Sequence, residues 1–177
     1  MSNLAYREYY TKDDYVHWEG DWELVDGIAY AMSPSPMVTH QFINMKIARQ
    51  LDEKLDNCKF CHALFETDIE FNDDTIIRPD TIVICYEPQE RLNRTPDIVF
   101  EVISKSTAKK DEILKFDLYE KEGVKYYALV YGDGKKVKLY KLENYKYVKI
   151  GDFHDETYLF ELDKCSIVFD FGFIWKR

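Results

Sequence analysis

Ile98-Val99-Phe100-Glu101-Val102-Ile103 reads as a strand apolar on both faces, with a carboxylate in the middle of it. Pro79-Asp80-Thr81-Ile82-Val83-Ile84-Cys85 has the same character and begins with an acid. A charge buried without a partner costs several kcal/mol or is lost by protonation, so acids in such strands usually hold a metal, a base or each other. If the two strands are neighbours in one sheet, Asp80 and Glu101 converge on one divalent cation.

The segments on either side supply helices and further strands around these two. Thr11 with Asp14 forms a capping-box start to a short helix ending near Gly20. Asp26-Gly27 is a two-residue turn signal that pairs Val25 with Ile28, Leu24 with Ala29 and Glu23 with Tyr30. Alternation then puts Glu23 on the face of Val25, Ile28, Tyr30 and Met32, either as a third buried acid or at an edge open to water. Ser35 and Pro36 open a helix that runs to about Asp56, with Ile43, Ile47 and Leu51 as its buried stripe. His40 lies on that stripe. A histidine there is commonly a core or helix-end residue, and the alternative places it against substrate.

Strands near 59–71, 78–86 and 96–104 follow, with a surface loop over 87–95. Ser104, Ser106 and Thr107 offer caps for a helix over 107–122 that Gly123 ends. Its inward stripe is Ile113, Phe116 and Tyr119. Lys115 falls at the stripe's edge, able to bury its stem and aim its ammonium at Glu101, whereas Lys109 and Lys110 face solvent. A strand at 126–131, a hairpin over 137–150 and a closing tail at 167–174 complete the chain.

At 177 residues and 46% apolar content the chain supports one hydrophobic core, and we expect a single domain over 1–177. No apolar run approaches the roughly 18 to 20 residues of a membrane helix, and Met1 to Gly20 is too polar for a signal peptide, so a cytoplasmic protein is expected. Cys58, Cys61, Cys85 and Cys165 then read as reduced thiols. Zinc is not expected, because no second Cys/His pair occurs at finger spacing and an extended strand would point Cys58 and Cys61 to opposite faces.

The net charge of −9 is unevenly spread: −11 over 1–104, +5 over 105–150 and −3 over 151–177. The basic block begins directly after Glu101, so an acidic cation site borders lysines suited to phosphates. Lys105, Lys109 and Lys110 are the candidate phosphate contacts, unless they form an ordinary solvated face.

Trp22-Glu23-Leu24-Val25-Asp26-Gly27, Arg78-Pro79-Asp80, Pro96-Asp97 through Ser104, Ser106-Thr107, Asp111 with Lys115 and Tyr119, and Gly123-Val124-Lys125-Tyr126-Tyr127 resemble, in order, the Uma-type restriction-endonuclease family. The resemblance spans about residues 11 to 174 and implies the PD-(D/E)XK nuclease superfamily, with its α/β (α+β), restriction-endonuclease-like core, a mixed central sheet flanked by helices. It implies Mg²⁺- or Mn²⁺-dependent phosphodiester hydrolysis with Asp80 and Glu101 as the acidic pair. Glu23 is by the same match a third acid, and the Val102 carbonyl an extra ligand. The implied substrate is nucleic acid, DNA before RNA. Double-strand cleavage would favour a symmetric homodimer, since one active site cuts one strand and a two-fold axis supplies the second. The superfamily lysine should stand two residues after the second acid, where this chain has Ile103. The Uma-type pattern moves it to the next helix, matching Lys115. Lys105 replaces the proline usual for the family. Two other readings fit the same residues: a catalytically silent nucleic-acid- or protein-binding domain of this fold, and a buried structural network with no ligand.

Overall fold

The computed structural model describes residues 7–33 and 36–176. At its centre lies a six-stranded mixed sheet in the order β10-β9-β8-β7-β6-β3, formed by Lys146–Phe153, Lys136–Glu143, Tyr126–Tyr131, Ile98–Ile103, Thr81–Ile84 and His62–Phe65. Only β7 and β8 run parallel, as a helical crossover between them requires. A second sheet, β2-β1-β5-β4, is built from Ile28–Ala31, Trp22–Val25, Thr75–Ile77 and Ile69–Asn72. Thr157–Glu161 and Ser166–Asp170 pair as the hairpin β11-β12.

Period-2 alternation divides the core. Ile98, Phe100 and Val102 of β7 face the long helix α2 (Val38–Leu55) and its buried Ile43, Ile47 and Leu51, together with Phe160 and Phe169 of the C-terminal hairpin. Val99 and Glu101 point to the opposite face, where helix α3 (Lys115–Glu122) and the second sheet contribute Leu118, Tyr119, Val25 and Ile77. Each fully buried aliphatic side chain in these layers stabilises the fold by about 1.5–3 kcal/mol. No described helix is long and apolar enough to cross a membrane.

The Asp26-Gly27 hairpin forms in the expected register, Glu23 opposite Tyr30. Gly123 ends α3 at φ 83°, with Val124 N–H donating to Tyr119 O at 2.9 Å, a geometry that favours a residue without Cβ. The first helix keeps the Thr11–Asp14 capping box but is a single turn, α1 (Lys12–Tyr15). The predicted cap of α2, Ser35, lies outside the described residues; the helix itself begins after Met37.

Several elements differ from the sequence reading. The expected strand 59–71 is two strands in two sheets, because the chain turns at Glu66 with φ 48°. The expected strand 78–86 is shortened to β6, Thr81–Ile84. Pro79 has no N–H for a ladder, and Arg78-Pro79-Asp80 carries the chain from β5 of one sheet to β6 of the other. The helix after β7 contains a π-helical turn over Lys110–Leu114. Its wider turn shifts the inward face, so Ile113, expected inside, is 59% exposed, and Lys110, expected outside, turns in.

The cysteines are also corrected. They pair as disulfides, Cys58 with Cys165 and Cys61 with Cys85. Cys58 to Cys61 is a turn closed by Cys61 N–H donating to Cys58 O at 3.1 Å, not an extended strand, so the two sulfurs share one side.

Candidate active site

β6 and β7 are antiparallel neighbours with Thr81 opposite Phe100, and the next step of that register sets Asp80 opposite Glu101. The two acids are tied reciprocally. Val102 N–H donates to Asp80 Oδ2 at 2.7 Å, and Asp80 N–H donates to Glu101 Oε2 at 3.4 Å. His40 reaches the same oxygen from α2, with Nε2 3.2 Å from Asp80 Oδ2. Asn44, one turn further along, donates to Asp80 O at 3.4 Å and accepts from the Thr81 hydroxyl at 2.5 Å.

Lys115 is the hub on the other side. Its Nζ lies 2.8 Å from Glu101 Oε1, 3.0 Å from Glu23 Oε1 and 3.6 Å from Asp111 Oδ1. Rather than standing at a stripe edge, it is 4% exposed. Lys110 Nζ donates to Glu23 Oε2 at 2.7 Å, and Arg78 N–H to Glu23 Oε1 at 3.1 Å. Of the two readings of Glu23, the buried acid is the one observed. Tyr119 donates its hydroxyl proton to Glu101 Oε1 at 2.8 Å.

These contacts set the electrostatics. Burial alone would raise the Glu23 carboxyl, but the Lys115 and Lys110 ammonium groups outweigh it and hold the group at about 2. For Glu101, burial dominates and pushes the carboxyl well above its usual range; Lys115 opposes the rise, while Asp111, Asp80 and Glu23 add to it. Asp111 is raised for the same reasons, burial first. Burial would lower the Lys115 ammonium, but Glu101, Glu23 and Asp111 together hold it far above the ordinary lysine value. His40 is likewise lifted above its usual value by Asp80 against the pull of burial.

Four carboxylates, Glu23, Asp80, Glu101 and Asp111, thus face two lysines, Lys110 and Lys115, and two negative charges stay uncompensated when all six are ionised and His40 is neutral. Both hydrogen bonds to the Asp80 carboxylate fall on Oδ2, which leaves Oδ1 without a partner among the described residues. Among the described residues, Glu101 Oε2 receives only the long bond from Asp80 N–H. Hard carboxylate oxygens with spare lone pairs and a charge deficit of two suit Mg²⁺ or Mn²⁺.

A family model described as "Putative restriction endonuclease", Uma2, matches residues 8–162. The chain belongs to the Uma2 family. Among solved structures, it is similar to a putative nuclease belonging to DUF820 from Anabaena variabilis ATCC 29413, with a TM-score of 0.76 at 16% identity, covering 93% of this chain and 97% of that one. The Uma2 chain thus has the restriction-endonuclease-like fold expected of it. No curated protein matches its sequence.

Of the expected site residues, Asp80, Glu101, Lys115, Glu23 and His40 come together, and Lys110 joins them instead of facing solvent. Lys105 and Lys109 are exposed beyond the cluster. Two members were not assigned to the site although both stand in the pattern that carries the resemblance: Asp111, i, i+4 to Lys115, and Tyr119, read as core. Val102 enters through its N–H, a contact the sequence does not announce.

Proposed function

We propose that this Uma2 protein is a metal-dependent endonuclease that hydrolyses phosphodiester bonds of DNA. The observation that carries the reading is the acid cluster itself, with paired strand carboxylates, a buried lysine between them and Glu23, and a deficit of two positive charges. Asp80 and Glu101 would hold Mg²⁺ or Mn²⁺, with the Val102 carbonyl as a further oxygen. When bound, the metal supplies Lewis acidity and makes a coordinated water more acidic. Lys115 faces the charge that develops on the non-bridging phosphate oxygens, and its tight carboxylate contacts keep it protonated. Glu23 is a positioning residue that holds Lys115 and Lys110 in place. His40 fixes Asp80 from the α2 side and borders the bound phosphate.

Exposed Lys105 and Lys109 would contact flanking phosphates at the start of the helix. A homodimer would supply a second site for the second strand. The whole chain 1–177 acts as one domain in this reading, and in the cytoplasm proposed as its place the two disulfides would stand reduced. A second reading, a catalytically silent binding domain, draws on one feature: Lys110 and Lys115 are both neutralised by carboxylates already.

Incubating the purified protein with supercoiled plasmid, with and without Mg²⁺ or Mn²⁺, separates the two. Nicked or linear product that needs the metal and disappears in Asp80→Asn supports the nuclease. No product with either ion, together with no heat of Mg²⁺ binding, leaves the silent domain standing.

A further inference from the structure

All four cysteines of the chain, drawn from four separate segments, meet at one place. Cys58 lies in the turn that ends α2 and Cys61 just before β3; Cys85 directly follows β6, and Cys165 occupies the β11-β12 turn. The sulfurs of Cys58, Cys61 and Cys165 all lie within 4.8 Å of one another, with Cys61 and Cys165 4.0 Å apart, and Cys85 is bonded to Cys61. In a tetrahedral zinc tetrathiolate with Zn–S near 2.3 Å, the sulfurs stand about 3.8 Å apart. The Cys58, Cys61 and Cys165 sulfurs therefore lie close to the spacing of such a site, and Cys85, outside that group of three but bonded to Cys61, is the fourth donor within reach once that bond is reduced; the Cys58–Cys61 turn supplies the C-x-x-C chelate that opens many of them.

The cleft beside the cluster leans basic, although the Asp97 carboxylate accepts from Cys85 N–H at 2.9 Å and Asp163 stands two residues before Cys165. Zinc with four thiolates carries two negative charges. Lys59, Arg94 and Lys164 line the cleft beside Cys85, with Glu87 as the only acid among its described lining residues. Lys59 lies between the first two cysteines and Lys164 directly precedes the last, in a chain whose net charge is −9. Soft sulfur donors also separate this site from the carboxylate cluster, which prefers a hard cation.

We propose that in the reduced protein Cys58, Cys61, Cys85 and Cys165 form a closed tetrathiolate Zn²⁺ site that joins α2, the edge of the central sheet and the C-terminal hairpin. Each disulfide takes two electrons and two protons from a dithiol reductant to give two thiols. Zn²⁺ then displaces the four thiol protons. The site is independent of the nuclease reading.

The test is the metal content of the full-length protein expressed with zinc and purified under a reductant. About one zinc per chain is expected for a closed site, with thiols that react with Ellman's reagent only after a chelator has removed the metal. Co²⁺ in place of zinc should give thiolate-to-cobalt charge-transfer absorption and the intense visible bands of tetrahedral sulfur coordination. Cys58→Ser/Cys165→Ser should lose both signals, and Asp80→Asn should keep them. Four freely reactive thiols with no metal in the reduced wild type would overturn the proposal. So would a cobalt spectrum without charge-transfer bands, or a zinc that persists in the double cysteine variant; the first two of these outcomes need no variant to fold.

Discussion

Lys115 Nζ stands 2.8 Å from Glu101 Oε1, and both residues are almost wholly buried. Neither charge is tolerable there alone. Lys115 serves three carboxylates at once, so its loss does more than subtract one group from the chemistry.

Lys115→Ala is expected to lower metal-free stability by about 3–5 kcal/mol, the usual cost of breaking a buried pair. Mg²⁺ should then raise the melting temperature of the variant by more than it raises that of wild type, since the ion replaces the missing charge. Cleavage should fall by about 10² to 10³ even with metal saturating. Thermal melts with and without Mg²⁺, alongside a plasmid assay, read all three; wild-type rates in the variant would remove Lys115 from the chemistry.

Asp80→Asn and Glu101→Gln should each abolish Mg²⁺ binding in titration calorimetry. Glu101→Gln should leave metal-free stability equal or higher, because burial and the neighbouring acids already push this carboxyl well up and charging it is costly. Unchanged Mg²⁺ affinity in both variants would dismiss the pair as ligands.

The His40–Asp80 contact makes stability depend on pH. The folded pKa of His40 lies above its ordinary 6.5, so the protonated form is favoured by folding. The increment is fully present below about 6.5 and is lost as pH rises through the folded value. His40→Gln should flatten that part of the profile. Urea midpoints for the two proteins, taken on both sides of neutrality, check it: parallel profiles would mean that His40 does not titrate with folding.

Because Lys110 is engaged with Glu23, the phosphate test rests on Lys105 and Lys109. Replacing both with Ala should reduce the log-log salt dependence of DNA binding by about one unit per lost contact, with little change in sequence preference. Lys110→Ala should instead show its effect in stability. A salt slope identical to that of wild type would make Lys105 and Lys109 an ordinary solvated face.

The parts legible in the sequence are those fixed by local chemistry. Asp26-Gly27 sets a hairpin register over a few residues, and it formed as read, with Glu23 opposite Tyr30. Apolar runs interrupted by Asp80 and Glu101 announced a shared site because strand alternation leaves a buried acid few options. The turn at Glu66 escaped, since neither Gly nor Pro marks it. So did the π-helical turn: side-chain periodicity over 107–122 fits an ordinary helix, and the tertiary pull of Glu23 and Glu101 on Lys110 and Lys115 is not written in that segment. The cysteine cluster was invisible for another reason. Its bridges span 107 and 24 residues, and only the finished fold brings those positions together.

Glu23 comes from the second sheet, Asp80 from the passage between sheets, Glu101 from the central sheet, and Lys115 from the helix that follows it. No two consecutive elements of the chain carry the whole set. A polypeptide emerging from the ribosome therefore has no working constellation at any intermediate length before α3 docks, and a misfolded copy with either sheet displaced lacks one as well. For the nuclease proposed above, that dependence is a safeguard: the full constellation forms only once both sheets and α3 have come together.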